Sequence, residues 1–553
     1  MLEHKYDKYY TYDELTEALN TLANLYPNYA SISSIGKSYE DRDVWCITVT
    51  DFSTGEAEHK PAIYIDGNTH AGEVTGSIAA LYTADYLLSN KDKSDVRELL
   101  QTTTFYIIPR VNPDGAEFYL TTPNMLRSSV RVWPDEELLD YPGLHRSDID
   151  GNGYILQMRL RDDKRGPWKI SKLDSRLMEP RKLDETKGEF YHILPEGLIK
   201  DFEGEPFKLN PVPWQLDLNR NYPSEWKPEI KGGGDYPTSE SEIKNVVDFI
   251  ISHKNIGALE ALHTSGGILF RSPYTYPESE FNKYDLKLLK TIGARGEELT
   301  GYPDVPSTGG IFAATIVDWA YEHQGIPGFT PELWDLYGRA GVKIDWHEAR
   351  SLTAEERVLR DLKVLEWNDR ELSGTGFIDW KEFDHPQLGK VEIGGYNPKY
   401  FRQNPPHKLL EQECHKMMTF LLAHAKALPR VMFEDVKVNK VSENIYEIDV
   451  FVANHGFLAT YLTDKGKNKG IIAKDKIKVV KGQAEIISGK EEFEVGYLEG
   501  YFSAQEQYGE YNPIGYNDGC KRVKYLVKGK KGDKITFVIS SEKGGKQVKE
   551  VQL

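Results

Sequence analysis

Ala62-Ile63-Tyr64-Ile65-Asp66-Gly67-Asn68-Thr69-His70-Ala71-Gly72-Glu73 begins as a strand and ends as a helix. The apolar run 62–65 reads as buried strand, and Gly67 and Asn68 break it. From Glu73 onward Val74, Ile78, Ala79, Leu81, Tyr82 and Leu87 recur at helical spacing. His70 therefore falls on the turn at the strand's end, and Glu73 on the first helical turn. A spacing of three lets an imidazole and a carboxylate converge on one point, which suits Zn²⁺ with N and O ligands at about 2.0–2.2 Å. The same spacing is common in plain surface pairs. Of the fourteen histidines, however, only His70 begins an H-x-x-E string.

The sequence around this stretch alternates strand and helix. Thr11-x-x-Glu14 is a capping box, followed by Leu15, Leu19, Leu22 and Leu25 on one face. Segments 44–50, 62–66 and 104–109 read as strands and 74–89 as a helix. Ser239-x-x-Glu242 is expected to cap a helix running to about His253. A short apolar strand, Ile256 to Leu262, ends at His263-Thr264-Ser265-Gly266-Gly267. Helices near 282–299 and 313–323, the strand Gly328–Leu333 and a helix over about 407–427 complete the series. The expected fold is an α/β mixed sheet flanked by helices, with ligands at the carboxyl ends of its strands.

Composition changes after Pro429. Val436-Lys-Val-Asn-Lys-Val, Tyr446-Glu-Ile-Asp-Val-Phe-Val and Lys534-Ile-Thr-Phe-Val-Ile alternate in period two between turn residues, predicting an all-β sandwich. The expected domains are 1–428, with long insertions at about 134–210 and 334–405, and an accessory sandwich over 429–553. Its partner is left open.

At 553 residues with a net charge of −17, the chain offers no basic surface for nucleic acid or anionic membrane. No run reaches the ~18–20 apolar residues of a membrane span. Three scattered cysteines and a polar N-terminal stretch without signal-peptide character predict a cytoplasmic protein, or a secreted one had a leader been removed.

Within 134–210, Asp148-Ile-Asp150-Gly-Asn152-Gly-Tyr-Ile155 matches the D-x-D-x-N-G opening of a calcium loop. Arg159 stands at the twelfth position, which excludes a full EF-hand; Asp162 or Asp163 is the candidate for a late carboxylate. The alternative is an Asx-turn cluster that organises the loop without an ion.

Zinc hydrolysis needs three protein ligands, an open position for water, a base and a cation for the oxyanion. His263, at a strand end beside a Gly-rich turn, is the best third ligand after His70 and Glu73; a lone buried histidine is otherwise structural. Glu332 stands in an apolar strand, where an unpaired carboxylate is costly, and burial raises its pKa toward that of a general base.

Leu216-Asp217-Leu218-Asn219-Arg220-Asn221-Tyr222-Pro223 makes the pattern specific. Together with His70/Glu73, Asn112-Pro113-Asp114-Gly115, His263 in A-L-H-T, and Asp318-Trp319 ahead of Phe329-Thr-Pro-Glu332-Leu, it resembles the zinc carboxypeptidases of the M14 (carboxypeptidase A-like) family, in family order over residues 1 to about 428. The resemblance implies one Zn²⁺ per chain on His70, Glu73 and His263. It implies Asp217 behind a ligand histidine, most readily His70, and Asn219 and Arg220 gripping a terminal carboxylate. Glu332 would be the base. Of the two candidate arginines, Arg131 is favoured for the oxyanion and Arg127 for an outer substrate contact. Val317 falls at the side-chain selectivity position, which favours neutral or hydrophobic C-terminal residues; Arg271, pointed inward, would favour acidic ones. Where the family carries a lid tyrosine this chain has Gly309-Gly310-Ile311-Phe312.

These implications predict a metallocarboxypeptidase acting on peptide or protein C-termini, without nucleic-acid or membrane partners. Two rivals stand beside it. One is an amidase for another carboxylate-bearing linkage, such as a cell-wall γ-glutamyl peptide or an acidic side chain. The other is a binding protein with a decayed site.

Overall fold

Ala62–Gly67 forms a strand with all six residues buried. It lies in the middle of an eight-stranded sheet, parallel to Thr104–Ile108 on one side and to Ile256–Thr264 on the other. The chain's structure is a computed structural model that describes residues 6–204, 206–306, 312–343, 351–480, 482–509, 512–513 and 515–553. The strand order across the sheet is Ala30–Lys37, Asp43–Val49, Thr104–Ile108, Ala62–Gly67, Ile256–Thr264, Gly328–Leu333, Ile268–Arg271, Asp304–Pro306. The four adjoining strands from 104–108 to 328–333 are parallel, and the outer pairs 30–37/43–49 and 268–271/328–333 are antiparallel.

Helices cover both faces because the middle strands are apolar on both sides. Val74–Ser89, Lys283–Thr300 and His407–Lys426 pack together. From Ser241–Ser252, Phe249 meets Tyr64 and Tyr106 at ring-centroid distances of 6.3 and 5.4 Å. Thr11 and Glu14 form their reciprocal cap. Ser239 does not cap the next helix: that helix begins at Ser241, and the Ser239 hydroxyl is engaged with Asn221 and Glu240 instead.

Two glycines set how closely the first helix approaches the sheet. A Cβ on Gly67 would lie 2.6 Å from the backbone of Gly76, and one on Gly76 would lie 2.6 Å from the Leu262 carbonyl. Only hydrogen fits at such distances, so the helix start presses onto two neighbouring strands. That contact brings Glu73 beside the end of the 256–264 strand.

The two long insertions meet. Gln157–Arg161, Trp168–Ile170, Met178–Pro180 and Tyr191–Pro195 join Phe377–His385 and Gly389–Tyr396 in one six-stranded antiparallel sheet. Ala354–Leu372 packs against its edge.

After Pro429 come two four-stranded antiparallel sheets. One contains Val431–Ser442, Ile445–Asn454, Cys520–Lys528 and Glu485–Ser488. The other contains Glu492–Gly496, Asp475–Val480, Lys534–Ser541 and Gly545–Gln552. Ile448, Val450, Val523 and Tyr525 of the first and Ile477, Phe537 and Ile539 of the second share one core, which makes the unit a β-sandwich. It is not loosely tethered. Leu458, Leu462, Ile472 and Phe502 belong to the apolar core of the α/β region, and Asp285 accepts the N–H groups of Asp464 and Lys465 at 2.7 and 3.0 Å. Among the described residues no helix is long and apolar enough to cross a membrane.

Candidate metal centre

Asn68 bends the chain into the site. It holds φ = 61°, and its side-chain amide donates to the carbonyls of His70 and Ala71 at 2.7 and 3.1 Å. The imidazole of His70 is thereby turned toward the helix start. His70 Nδ1 lies 2.9 Å from Glu73 Oε1, and His263 Nδ1 lies 2.8 Å from Glu73 Oε2 and 2.9 Å from His70 Nδ1. All three residues are buried. The Thr264 N–H also donates to Glu73 Oε2, at 3.2 Å.

Two imidazole nitrogens facing each other at 2.9 Å against a shared carboxylate are a poor set of hydrogen-bond partners and a good set of metal donors. Two nitrogens and a carboxylate match the preferences of Zn²⁺, so these residues fit that ion. Electrostatics point the same way. Burial opposes the charge on Glu73, but His70 and His263 outweigh it and hold its carboxyl low.

His70 Nε2 is 3.0 Å from Asp217 Oδ1. Asp217 Oδ2 takes a two-pronged contact from Arg127, through Nε at 3.1 Å and Nη2 at 3.0 Å. Arg127 Nη1 reaches Glu73 Oε1 at 3.2 Å. Arg127 thus stands beside the donor group, half-exposed. Arg131, favoured from sequence for the oxyanion, is placed elsewhere: its Nε and Nη2 bind the carboxylate of Glu240 at 3.1 and 2.7 Å. Glu240 is buried and needs a cation, which accounts for the turn of Arg131 away from the centre.

Ser128, between the two arginines, is the hub that sequence reasoning missed. Its hydroxyl donates to Thr69 O (3.1 Å) and accepts from Leu218 N (3.0 Å), joining the His70 turn to the Asp217–Arg220 turn. Asn112 of N-P-D-G donates to Ser128 O at 2.7 Å, and Asp114 accepts from Ser38, Glu40 and Arg42. That motif is therefore a brace. No pattern in the sequence marks Ser128.

Asn219 Oδ1 accepts from Ile316 N at 3.0 Å, and its amide nitrogen makes no hydrogen bond among the described residues. The Arg220 guanidinium lies 5.0 Å from the ring centre of Phe312. Gly309, Gly310 and Ile311, the stretch in place of the lid tyrosine, lie outside the described residues.

Glu332 pairs in register with His263 on the adjoining strand. Burial and the charge of Glu73 push its carboxyl up to about 8, while His263 and Arg127 pull it down. Two residues earlier on the same strand face, Thr330 accepts a hydrogen bond from the Tyr274 hydroxyl at 3.0 Å. Val317 is fully buried. Arg271 is buried but held by Asp304 (2.8 Å) and Glu278 (2.5 Å), so it is not a free cation for an acidic substrate.

The 148–155 loop is separate from this centre. Asp148 accepts from the N–H groups of Gly151, Asn152 and Gly153, and Asp150 from that of Asn152. The late carboxylate is neither Asp162, which pairs with Arg165, nor Asp163, which pairs with Arg161. It is the buried Glu196, whose ligand atoms group with those of Asp148 and Asp150 within 4.8 Å. Glu196 also accepts from Ile149 and Leu156 N–H at 2.6 and 2.8 Å.

Two histidines at strand ends and a glutamate at a helix start, with Glu332 on the adjoining strand and Arg127 alongside, define a candidate zinc centre, and comparison with known proteins gives its family. Residues 15–144 and 205–339 match the zinc carboxypeptidase family (M14). The chain is an M14 carboxypeptidase-like protein. Residues 430–552 match a domain family of unknown function, DUF8731. Carboxypeptidase A2 of Rattus norvegicus is 26% identical over 342 residues, 60% of this chain and 64% of that protein. Carboxypeptidase B of Astacus astacus is 34% identical over 121 residues, 22% of this chain and 38% of that protein. The matches thus span less than two thirds of these relatives' length. Among solved structures, carboxypeptidase A from Helicoverpa armigera aligns with a TM-score of 0.42 at 17% identity, covering 66% of this chain and 74% of the other.

Proposed function

We propose that this chain is a zinc metallocarboxypeptidase that removes the C-terminal residue of peptides. The observation that carries the reading is the convergence of His70, Glu73 and His263 with Glu332 on the adjoining strand and Arg127 alongside. Zinc held there would supply Lewis acidity and lower the pKa of water to about 7.

The chain's own residues account for the rest. Asn219 and Arg220 bind the free carboxylate of the substrate, which sets the scissile bond one residue inward. Glu332 takes a proton from the attacking water as its oxygen bonds to the carbonyl carbon. It then gives that proton to the departing amine as the C–N bond breaks. Arg127 holds the developing oxyanion. Burial first and the Glu73 charge second keep the Glu332 carboxyl high, and a cation beside Glu73 would offset the second of these and favour the basic form. Val317 at the selectivity position supports a preference for neutral or hydrophobic C-terminal residues.

Glu332→Gln should retain one zinc per chain and lose roughly 10²–10⁴-fold in turnover. Parental turnover in that variant would refute the base assignment. An amidase acting on a γ-glutamyl or side-chain linkage would use the same groups and would be recognised by turnover of those substrates in preference to peptides. We extend the cofactor set to calcium at Asp148, Asp150 and Asn152, a reading supported by the position of Glu196.

A further inference from the structure

Residues mostly outside the family match, from 145–204 and after 339, line an open cavity of about 740 Å³ between the insertion sheet and the helix Ala354–Leu372. That volume lies in the range of ligand pockets. The cavity shares a wall with the metal centre. Ser265 lines it two residues after His263. Gln403, also in the lining, donates to Thr264 O at 3.4 Å. Met125 lines it two residues before Arg127.

The lining is dominated by rings and branched side chains, among them Trp168, Phe377, Trp380 and Val358. Its arginines differ in their partners. Arg176 is neutralised by Asp174 and Asp369, and Arg402 by Asp361. Arg357 is exposed and has no ion pair among the described residues. The Trp168 indole N–H likewise has no hydrogen-bond acceptor among them.

From this geometry we propose that the cavity receives the part of the substrate on the amino side of the scissile bond, and that it selects peptides whose residues there are bulky and apolar with an acidic group near Arg357. The inference rests on the carboxypeptidase reading and goes beyond it, since the cavity is built almost wholly from segments outside the family match. A peptide anchored by its carboxylate at Arg220 must leave the metal centre along the His263–Ser265 wall or away from it. Along that wall the peptide meets the apolar side chains of the cavity, whose burial is favourable.

The test compares three substrates with one C-terminal residue: a blocked dipeptide, a hexapeptide with Leu, Phe and Glu ahead of the scissile bond, and a hexapeptide with Ser, Gly and Lys there. The apolar-acidic hexapeptide should exceed the polar one at least tenfold in kcat/KM, chiefly through KM. Trp168→Ala and the surface variant Arg357→Glu should each reduce that preference and leave the dipeptide unchanged. Equal kcat/KM for the two hexapeptides, variants that slow all three substrates alike, or faster turnover of a muropeptide would overturn the proposal. If no substrate is cleaved, the carboxypeptidase reading fails. Fluorescence-anisotropy binding of the labelled hexapeptides then decides the cavity: a tenfold tighter Kd for the apolar one, lost in Trp168→Ala, supports it, and equal Kd values refute it.

Discussion

Arg127 and Arg131 are four positions apart and carry the same group, yet they meet different partners. Arg127 bridges Asp217 and Glu73, whereas Arg131 neutralises the buried Glu240. Their truncations should therefore separate. Arg127→Ala is expected to lower kcat by about 10²–10³, the usual cost of losing an oxyanion donor, with a small change in melting temperature. Arg131→Ala should leave a buried carboxylate without its cation and cost about 3–5 kcal/mol of stability, with kcat of the folded enzyme nearly unchanged. Steady-state kinetics beside calorimetry reads both, and the reverse pattern would reassign the two residues. Neither choice was legible in the sequence, because Glu240 lies 109 positions from Arg131. His70, His263 and Glu332 could be singled out because each stands at the end of an apolar strand or as an anomaly within one, and Glu73 because of its spacing from His70.

Asp318 carries a pH prediction. Burial pushes its carboxyl up to about 7, only partly offset by the hydrogen bond from Ser272. The unfolded value is about 3.9, so the folded state binds more protons between about pH 4 and 7. Stability from this group is therefore full below about pH 4 and falls as pH rises to 7. Asp318→Asn removes that slope. The melting temperature of the variant relative to the parent should climb from pH 4.5 to pH 8, and a constant difference would contradict the assignment.

The elements divide by how local their signals are. The parallel strands 62–67, 104–108, 256–264 and 328–333 are apolar runs bounded by turn residues, and the sequence marks each one. The insertion sheet gives no such signal. Its strands are short, and Gly389–Tyr396 pairs with Gln157–Arg161 more than two hundred residues away. Long-range pairing of this kind is invisible to local periodicity. The 148–155 loop shows the same limit: its opening carboxylates are a readable motif, but Glu196 arrives through the fold. With calcium completing the group, millimolar Ca²⁺ should raise the melting temperature of chelator-treated protein by several degrees, and Asp148→Asn should abolish the rise. An unchanged melting curve would mean that these carboxylates serve only the loop's own backbone.

At the scale of the whole molecule, three parts of the sequence pack together. The α/β region brings together His70, Glu73, His263 and Glu332, the joined insertions line the cavity beside them, and the sandwich packs on an apolar flank through Leu458, Leu462 and Phe502. The composition change after Pro429 revealed the sandwich but not its docking, because alternating strands signal a core of their own while the residues that cross into the larger core lie in the loops between them. The central claim is that a free chain end is read at Arg220 and cut one residue inward. Mass spectrometry of a peptide mixture incubated with the zinc-loaded protein, each sequence present as both free acid and C-terminal amide, tests it most directly. The account predicts loss of single C-terminal residues from the free acids, neutral or hydrophobic residues fastest, with the amides intact and all cleavage stopped by chelation. Equal cleavage of acids and amides, or cleavage that survives chelation, would contradict it.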